Sequence, residues 1–62
     1  MSEFPGYDEC VERMYAAFMR MTYDVWRAEG CDLIDQFCYA MDDGDEPWMR
    51  TWLAAAEKLV AA

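Results

Sequence analysis

The sequence predicts an all-α fold, a small three-helix bundle with helices near 7–29, 32–43 and 46–61, and three observations carry that prediction. Apolar residues recur in steps of three and four along most of the 62 residues, which is the spacing of one helix face. Only three Gly and two Pro interrupt the chain, and Gly30 and Gly44 stand where helices would end. Hydrophobic residues make up 56% of the sequence, too apolar for disorder. The whole chain is read as one helical domain, 1–62, with residues 1–6 as a loose N-terminal segment. A domain this small buries only about 60% of its unfolded surface, so its stability is modest.

The first helix follows from Tyr7, Val11, Met14, Phe18, Met21 and Val25, which alternate steps of four and three. Asp8, Glu9 and Glu12 suit the positive end of its dipole, and Gly30 is expected to cap its C-terminus. At 1.5 Å per residue the helix would be roughly 30 Å long. The second helix is opened by Asp32 and closed at Gly44. A helical wheel puts Leu33, Ile34, Phe37, Cys38, Ala40 and Met41 on one side and Asp32, Asp35, Gln36, Tyr39, Asp42 and Asp43 on the other. The third helix begins at Asp45 or Glu46, tolerates Pro47 in its first turn, and has a broad apolar side formed by Trp48, Trp52, Ala55 and Leu59 with Met49, Leu53, Ala56 and Val60 beside them. Three amphipathic helices joined by short turns pack most simply around one core. The apolar stripe of the first helix is wide enough to serve a second copy, so both a monomer and a homodimer fit the pattern.

Thirteen acidic residues against five basic ones, with no His, give a net charge of -8. The field of such a surface repels nucleic acid and anionic membranes and speeds encounter with basic proteins. Direct nucleic-acid binding needs clustered Lys and Arg, and the chain has a single Lys. No stretch approaches the roughly 20 apolar residues of a membrane span. The opening MSEFPGYDEC lacks the basic start and apolar run of a secretory signal, and three Cys cannot all pair within one chain. A cytoplasmic location is therefore expected.

Charge is concentrated between Asp24 and Glu46, where eight acids accompany one base, Arg27. Asp32, Asp35, Asp42 and Asp43 form a stripe on the second helix that continues into the turn through Asp45 and Glu46. Tyr39 stands in the middle of that stripe, where a solvated face would carry Lys, Glu or Gln, and a Tyr flanked by charges suits an interface anchor. The competing account is an ordinary polar helix face followed by a turn rich in Asp. Arg13, Arg20 and Arg27, seven residues apart, would share the outer side of the first helix, paired locally with Glu9 and Asp24.

Other chemistries have little support. The acids of residues 42–46 lack the register of a calcium loop. Cys10, Cys31 and Cys38 lack a fourth zinc ligand and any C-x-x-C pair, and read as small buried hydrophobes. Without His, a phosphate loop or an activated thiol, the usual general bases and nucleophiles are missing. The chain is thus expected to be a binding protein and not an enzyme, with no cofactor and no metal.

A small, strongly acidic, His-free helical chain with exposed aromatics resembles the phage-encoded anti-CRISPR proteins and other DNA mimics. The likeness spans size, charge and helicity over the whole chain and carries over no individual residue. It implies an inhibitor that occupies a basic channel of a nucleic-acid-processing complex, a CRISPR effector in a bacterial cytoplasm, without chemistry. In that reading Asp32, Asp35, Asp42, Asp43, Asp45 and Glu46 face the partner's cations and Tyr39 packs between them. The alternative is a structural or regulatory adaptor, monomeric or homodimeric, that binds through the Met- and aromatic-rich faces of the first or third helix.

Overall fold

In a computed structural model that describes residues 4–61, the chain is all-α. Among the described residues there are three helices and no strand. Helix α1 spans Tyr7–Arg20. Helix α2 is one continuous body made of an α-helical turn Tyr23–Val25, a π-helical segment Trp26–Gly30 and an α-helix Cys31–Asp43. Helix α3 spans Glu46–Leu59. The bundle architecture agrees with the sequence reading. The first boundary does not: the periodicity predicts one helix through residue 29, whereas α1 stops at Arg20 and the next nine residues belong to a break and to α2.

The cause of the break is local. Met21 and Thr22 are both extended, with ψ of 135° and 163°. The Met21 N–H reaches back three residues to the Phe18 carbonyl at 3.0 Å, the tightened bond of a helix end. Thr22 Oγ1 then accepts the Val25 N–H at 3.3 Å and Asp24 lies in the first turn, so Thr22 is the N-cap of a new helix. The apolar repeat continues undisturbed through Met21 and Val25, which is why spacing alone does not reveal it.

Gly30 therefore caps nothing. Its φ of -62° is ordinary helix, and it is buried at the inner side of the corner. A Cβ built there would lie 2.5 Å from Met21 Sδ and 3.5 Å from a Trp26 ring carbon, so the missing side chain lets the π segment close on the corner. The Cys31 N–H bonds to the Trp26 carbonyl five residues back, the wide turn that defines a π-bulge. Gly30→Val is expected to cost about 1–3 kcal/mol by overpacking, measured as a lower urea midpoint with an unchanged m-value.

Gly44 does end α2 as the sequence predicts. It has φ +67°, the left-handed conformation that favours Gly. Its N–H bonds to Met41 O at 3.1 Å and the Asp45 N–H to Ala40 O at 2.9 Å, which together make a Schellman cap. Asp45 immediately caps α3, accepting the Trp48 N–H at 3.1 Å. One residue ends a helix and the next starts another.

α3 is the central element, packed against both α1 and the Cys31–Asp43 part of α2, while the backbones of those two scarcely approach each other. Cys10, Met14 and Ala17 from α1, Phe37 and Ala40 from α2, and Met49, Leu53 and Ala56 from α3 form the buried core. Three of the eight are Ala, which lets the helices come close at the expense of apolar area. The result is a slab of 35 × 22 × 14 Å.

The arginines tie this slab together from outside. Arg13 grips Glu57 of α3 with two bonds, Nη2 to Oε1 at 2.6 Å and Nε to Oε2 at 3.0 Å. Arg20 Nη2 donates to the Val60 carbonyl at 2.9 Å, and Arg50 Nη1 to the Pro5 carbonyl at 3.2 Å while its guanidinium lies 5.3 Å from the Phe4 ring centroid. Of the segment 1–6 expected to be loose, residues 1–3 lie outside the described residues; Phe4 and Pro5 are held against α3 by Arg50. The expected arginine stripe does not form. Arg13 and Arg20 point to α3, and Arg27 sits beyond the break on a different helix.

Candidate interaction surface

The Cys31–Asp43 part of α2 turns Phe37 and Ala40 into the core. Its opposite face carries Asp32, Asp35, Tyr39, Asp42 and Asp43, all exposed. These five lie within a narrow arc of the helix and extend about 16 Å along it at 1.5 Å per residue. Tyr39 is 65% exposed at the middle of the stripe. None of the four carboxylates has an ion-pair or hydrogen-bond partner among the described residues, where the single ion pair is Arg13 with Glu57. Two facts explain the isolation. This helical segment contains no Lys or Arg, and Arg13, Arg20 and Arg50 are held by α3 and the chain ends.

Asp45 and Glu46 continue the stripe in sequence but are occupied in the fold. Asp45 is the α3 cap described above. Glu46 Oε1 accepts the Tyr7 N–H at 3.1 Å, supplying an acceptor to the first helical N–H of α1, one of the N-terminal donors without an intrahelical partner. Both remain exposed. Of the seven residues singled out from the sequence, five form a common free surface and two hold helix ends together.

No protein-family model matches this chain, and neither a curated protein nor a solved structure is found to resemble it.

A second surface is only partly anticipated by the sequence, which offers the Met- and aromatic-rich face of the first helix but not a trough shared with the second. Because α1 and α2 both lean on α3, a trough of about 270 Å³ opens between them. Val11, Met14, Tyr15 and Phe18 line it from α1. Ile34, Phe37, Cys38 and Met41 line it from α2. Tyr15 is 65% and Phe18 41% exposed. The available signal was Tyr15 and Met19, large side chains on α1 that fall beside the main apolar stripe and so widen it beyond what one core contact needs. In α3 the sequence-predicted apolar face is only partly used by the core: Met49, Leu53 and Ala56 are buried, whereas Trp48 is 45% exposed and stacks edge-on against the half-buried Trp52 with ring centroids 5.2 Å apart.

The cysteines divide by environment, which corrects their reading as three buried hydrophobes. Cys10 is fully buried, Cys31 partly so, and Cys38 exposed. Among the described residues no three His, Cys, Asp or Glu side chains come together in a metal-binding group, and no helix is long and apolar enough to cross a membrane. Burial raises the Cys10 thiol above its ordinary 9.0, partly offset by the Arg50 and Arg13 charges, and its Sγ–H faces the Pro5 carbonyl at 3.7 Å. With the folded value above the unfolded one, the stability linked to this thiol is fully present below pH 9 and declines as pH rises past it. Iodoacetamide at neutral pH is expected to alkylate Cys38 first and Cys10 only on unfolding, an order that peptide mass spectrometry reads directly.

Proposed function

We propose that this protein is a non-enzymatic inhibitor that docks the acidic face of α2 onto the basic nucleic-acid-binding surface of a partner complex, in the manner of phage anti-CRISPR proteins. The observation that carries the reading is the stripe of Asp32, Asp35, Asp42 and Asp43 around an exposed Tyr39, with no cation paired to these carboxylates among the described residues. A structural polar face has no need to keep four carboxylates uncompensated along 16 Å, because their mutual repulsion works against the fold. Lys and Arg side chains that hold a nucleic-acid backbone would meet the same charges at this face, and Tyr39 would contribute apolar contact between them. A CRISPR effector in a bacterial cytoplasm is the partner class implied.

Asp45 and Glu46 have a supporting part in this reading, since both are engaged in holding α1 and α3. Affinity capture from nuclease-treated bacterial lysate tests it, with the wild type beside a variant carrying Asp32→Asn, Asp35→Asn, Asp42→Asn and Asp43→Asn. Retention of a nucleic-acid-binding complex by the wild type and its loss from the folded variant are expected. Capture of the same complex by both would sink the stripe as the working surface.

A further inference from the structure

We infer that the trough between α1 and α2 is a second docking surface, and that its occupant is a partner's amphipathic helix with basic residues along both flanks. The trough's apolar lining is independent of the acidic stripe, with which it shares only the rim residues Asp35 and Asp42. Its floor and walls are apolar for two helical turns on each side, from Val11 to Phe18 and from Ile34 to Met41. Those turns are about 10 Å long. A ligand helix laid into this length would present apolar side chains at i, i+3 or i+4 and i+7.

The rims decide which helix fits. On α1, Asp8 and Glu12 lie seven and three residues before Tyr15, so both stand on the helix side that Tyr15 occupies, and both are exposed. On α2, Asp35 and Asp42 lie one turn before and one turn after Cys38, on the trough's other edge, and are likewise exposed. An apolar channel between two rows of carboxylates is complementary to an apolar ridge between two rows of Lys or Arg. A second copy of this chain would bring the same carboxylates face to face at a net charge of -8 each, and like charges across an interface are strongly disfavoured. An anionic lipid surface is excluded by the same sign. Met14 and Met41 in the lining adapt to different apolar side chains, while the exposed rings of Tyr15 and Phe18 supply anchors with little rotamer entropy to lose.

The test uses the intact chain and a synthetic helical peptide of Leu and Lys only, about four turns long, with Leu at i, i+3, i+4 and i+7. Its control replaces every Lys by Glu. Binding is followed by fluorescence anisotropy, and the site is mapped by amide chemical-shift changes. The Lys peptide is expected to bind, to shift residues of the trough, and to lose affinity at least about tenfold with Tyr15→Ser combined with Phe18→Gln. These two side chains are exposed, so circular dichroism should report a folded variant. Asp32→Asn with Asp43→Asn, on the far side of the stripe, should change affinity less than about threefold.

Four results would overturn the inference: no binding of the Lys peptide, equal binding of the Glu control, affinity unaffected by the trough variant, or a wild-type homodimer that the trough variant dissociates. Binding lost only in the Asp32/Asp43 variant would place the peptide on the stripe. In that case the trough reading fails while the proposed docking of the acidic face is untouched.

Discussion

Phe37→Ala is expected to remove about 3–5 kcal/mol of folding free energy, the range for truncating a buried aromatic side chain. A domain of this length has roughly 3–9 kcal/mol in total, so the variant should be largely unfolded or lose a cooperative transition. Phe37 is 3% exposed and is the only aromatic among the eight buried core residues, three of which are Ala. Tyr39→Ala provides the internal comparison: it lies two residues along the same helix, has the same backbone environment, and is 65% exposed. That substitution should change stability by less than about 0.5 kcal/mol. Urea titrations of both variants, followed by far-ultraviolet circular dichroism, check the contrast. A Phe37→Ala cost below about 1 kcal/mol would mean that Phe37 does not sit in the core as described.

Periodicity makes some of this architecture legible and hides other parts for a physical reason. Apolar spacing reports which face of a helix is buried, and it correctly separates Phe37 and Ala40 from the acidic stripe. It does not report where the backbone leaves the helix when the spacing continues across the exit. At Met21 and Thr22 the signal is a hydroxyl cap, Thr22 with Asp24 two residues on, and a long apolar repeat overrides it in a sequence reading. Gly30 compounds the error, because a Gly after a helical stretch suggests a cap although its missing side chain here serves close packing against Met21. Gly44 is readable because Asp45 follows it: a left-handed Gly and an N-capping Asp in succession leave few alternatives.

The same boundary sets the charge balance of the surface. If α1 ran to residue 29, Arg13, Arg20 and Arg27 would form a cationic stripe able to balance local acids. With α1 ending at Arg20, Arg13 reaches Glu57 of α3 and Arg20 the Val60 carbonyl, Arg27 lies at the start of α2, and the acids of the Cys31–Asp43 segment have no ion-pair partner among the described residues. The trough is equally a product of tertiary geometry: α3 lies against both other helices, and the resulting gap between α1 and α2 cannot be inferred from any one amphipathic wheel. Phe18 and Met41 thus fall on core-facing stripes in sequence while lining an open channel in the fold.

Replacing Asp32, Asp35, Asp42 and Asp43 with Asn is expected to raise stability and to slow partner association, and the opposite signs are what make the result informative. The substitutions bring the net charge from -8 to about -4 by removing four like charges from one helix face. Two unit charges about 8 Å apart in water repel by roughly 0.5 kcal/mol before screening, and salt at about 0.15 M reduces this further. Tm should therefore rise in the variant at low ionic strength, and the difference should shrink as salt is added. Association with a basic partner should slow by about 10- to 1,000-fold at low salt, because steering by the field is lost, while dissociation changes less. Stopped-flow kinetics across a salt series, beside thermal melts in the same buffers, separates the two effects. A face maintained for the fold would lose stability on neutralisation; one maintained for a partner gains stability and loses rate, as expected where a binding surface is kept at the fold's expense. An unchanged association rate with a higher Tm would leave the four carboxylates as an electrostatic cost without a partner.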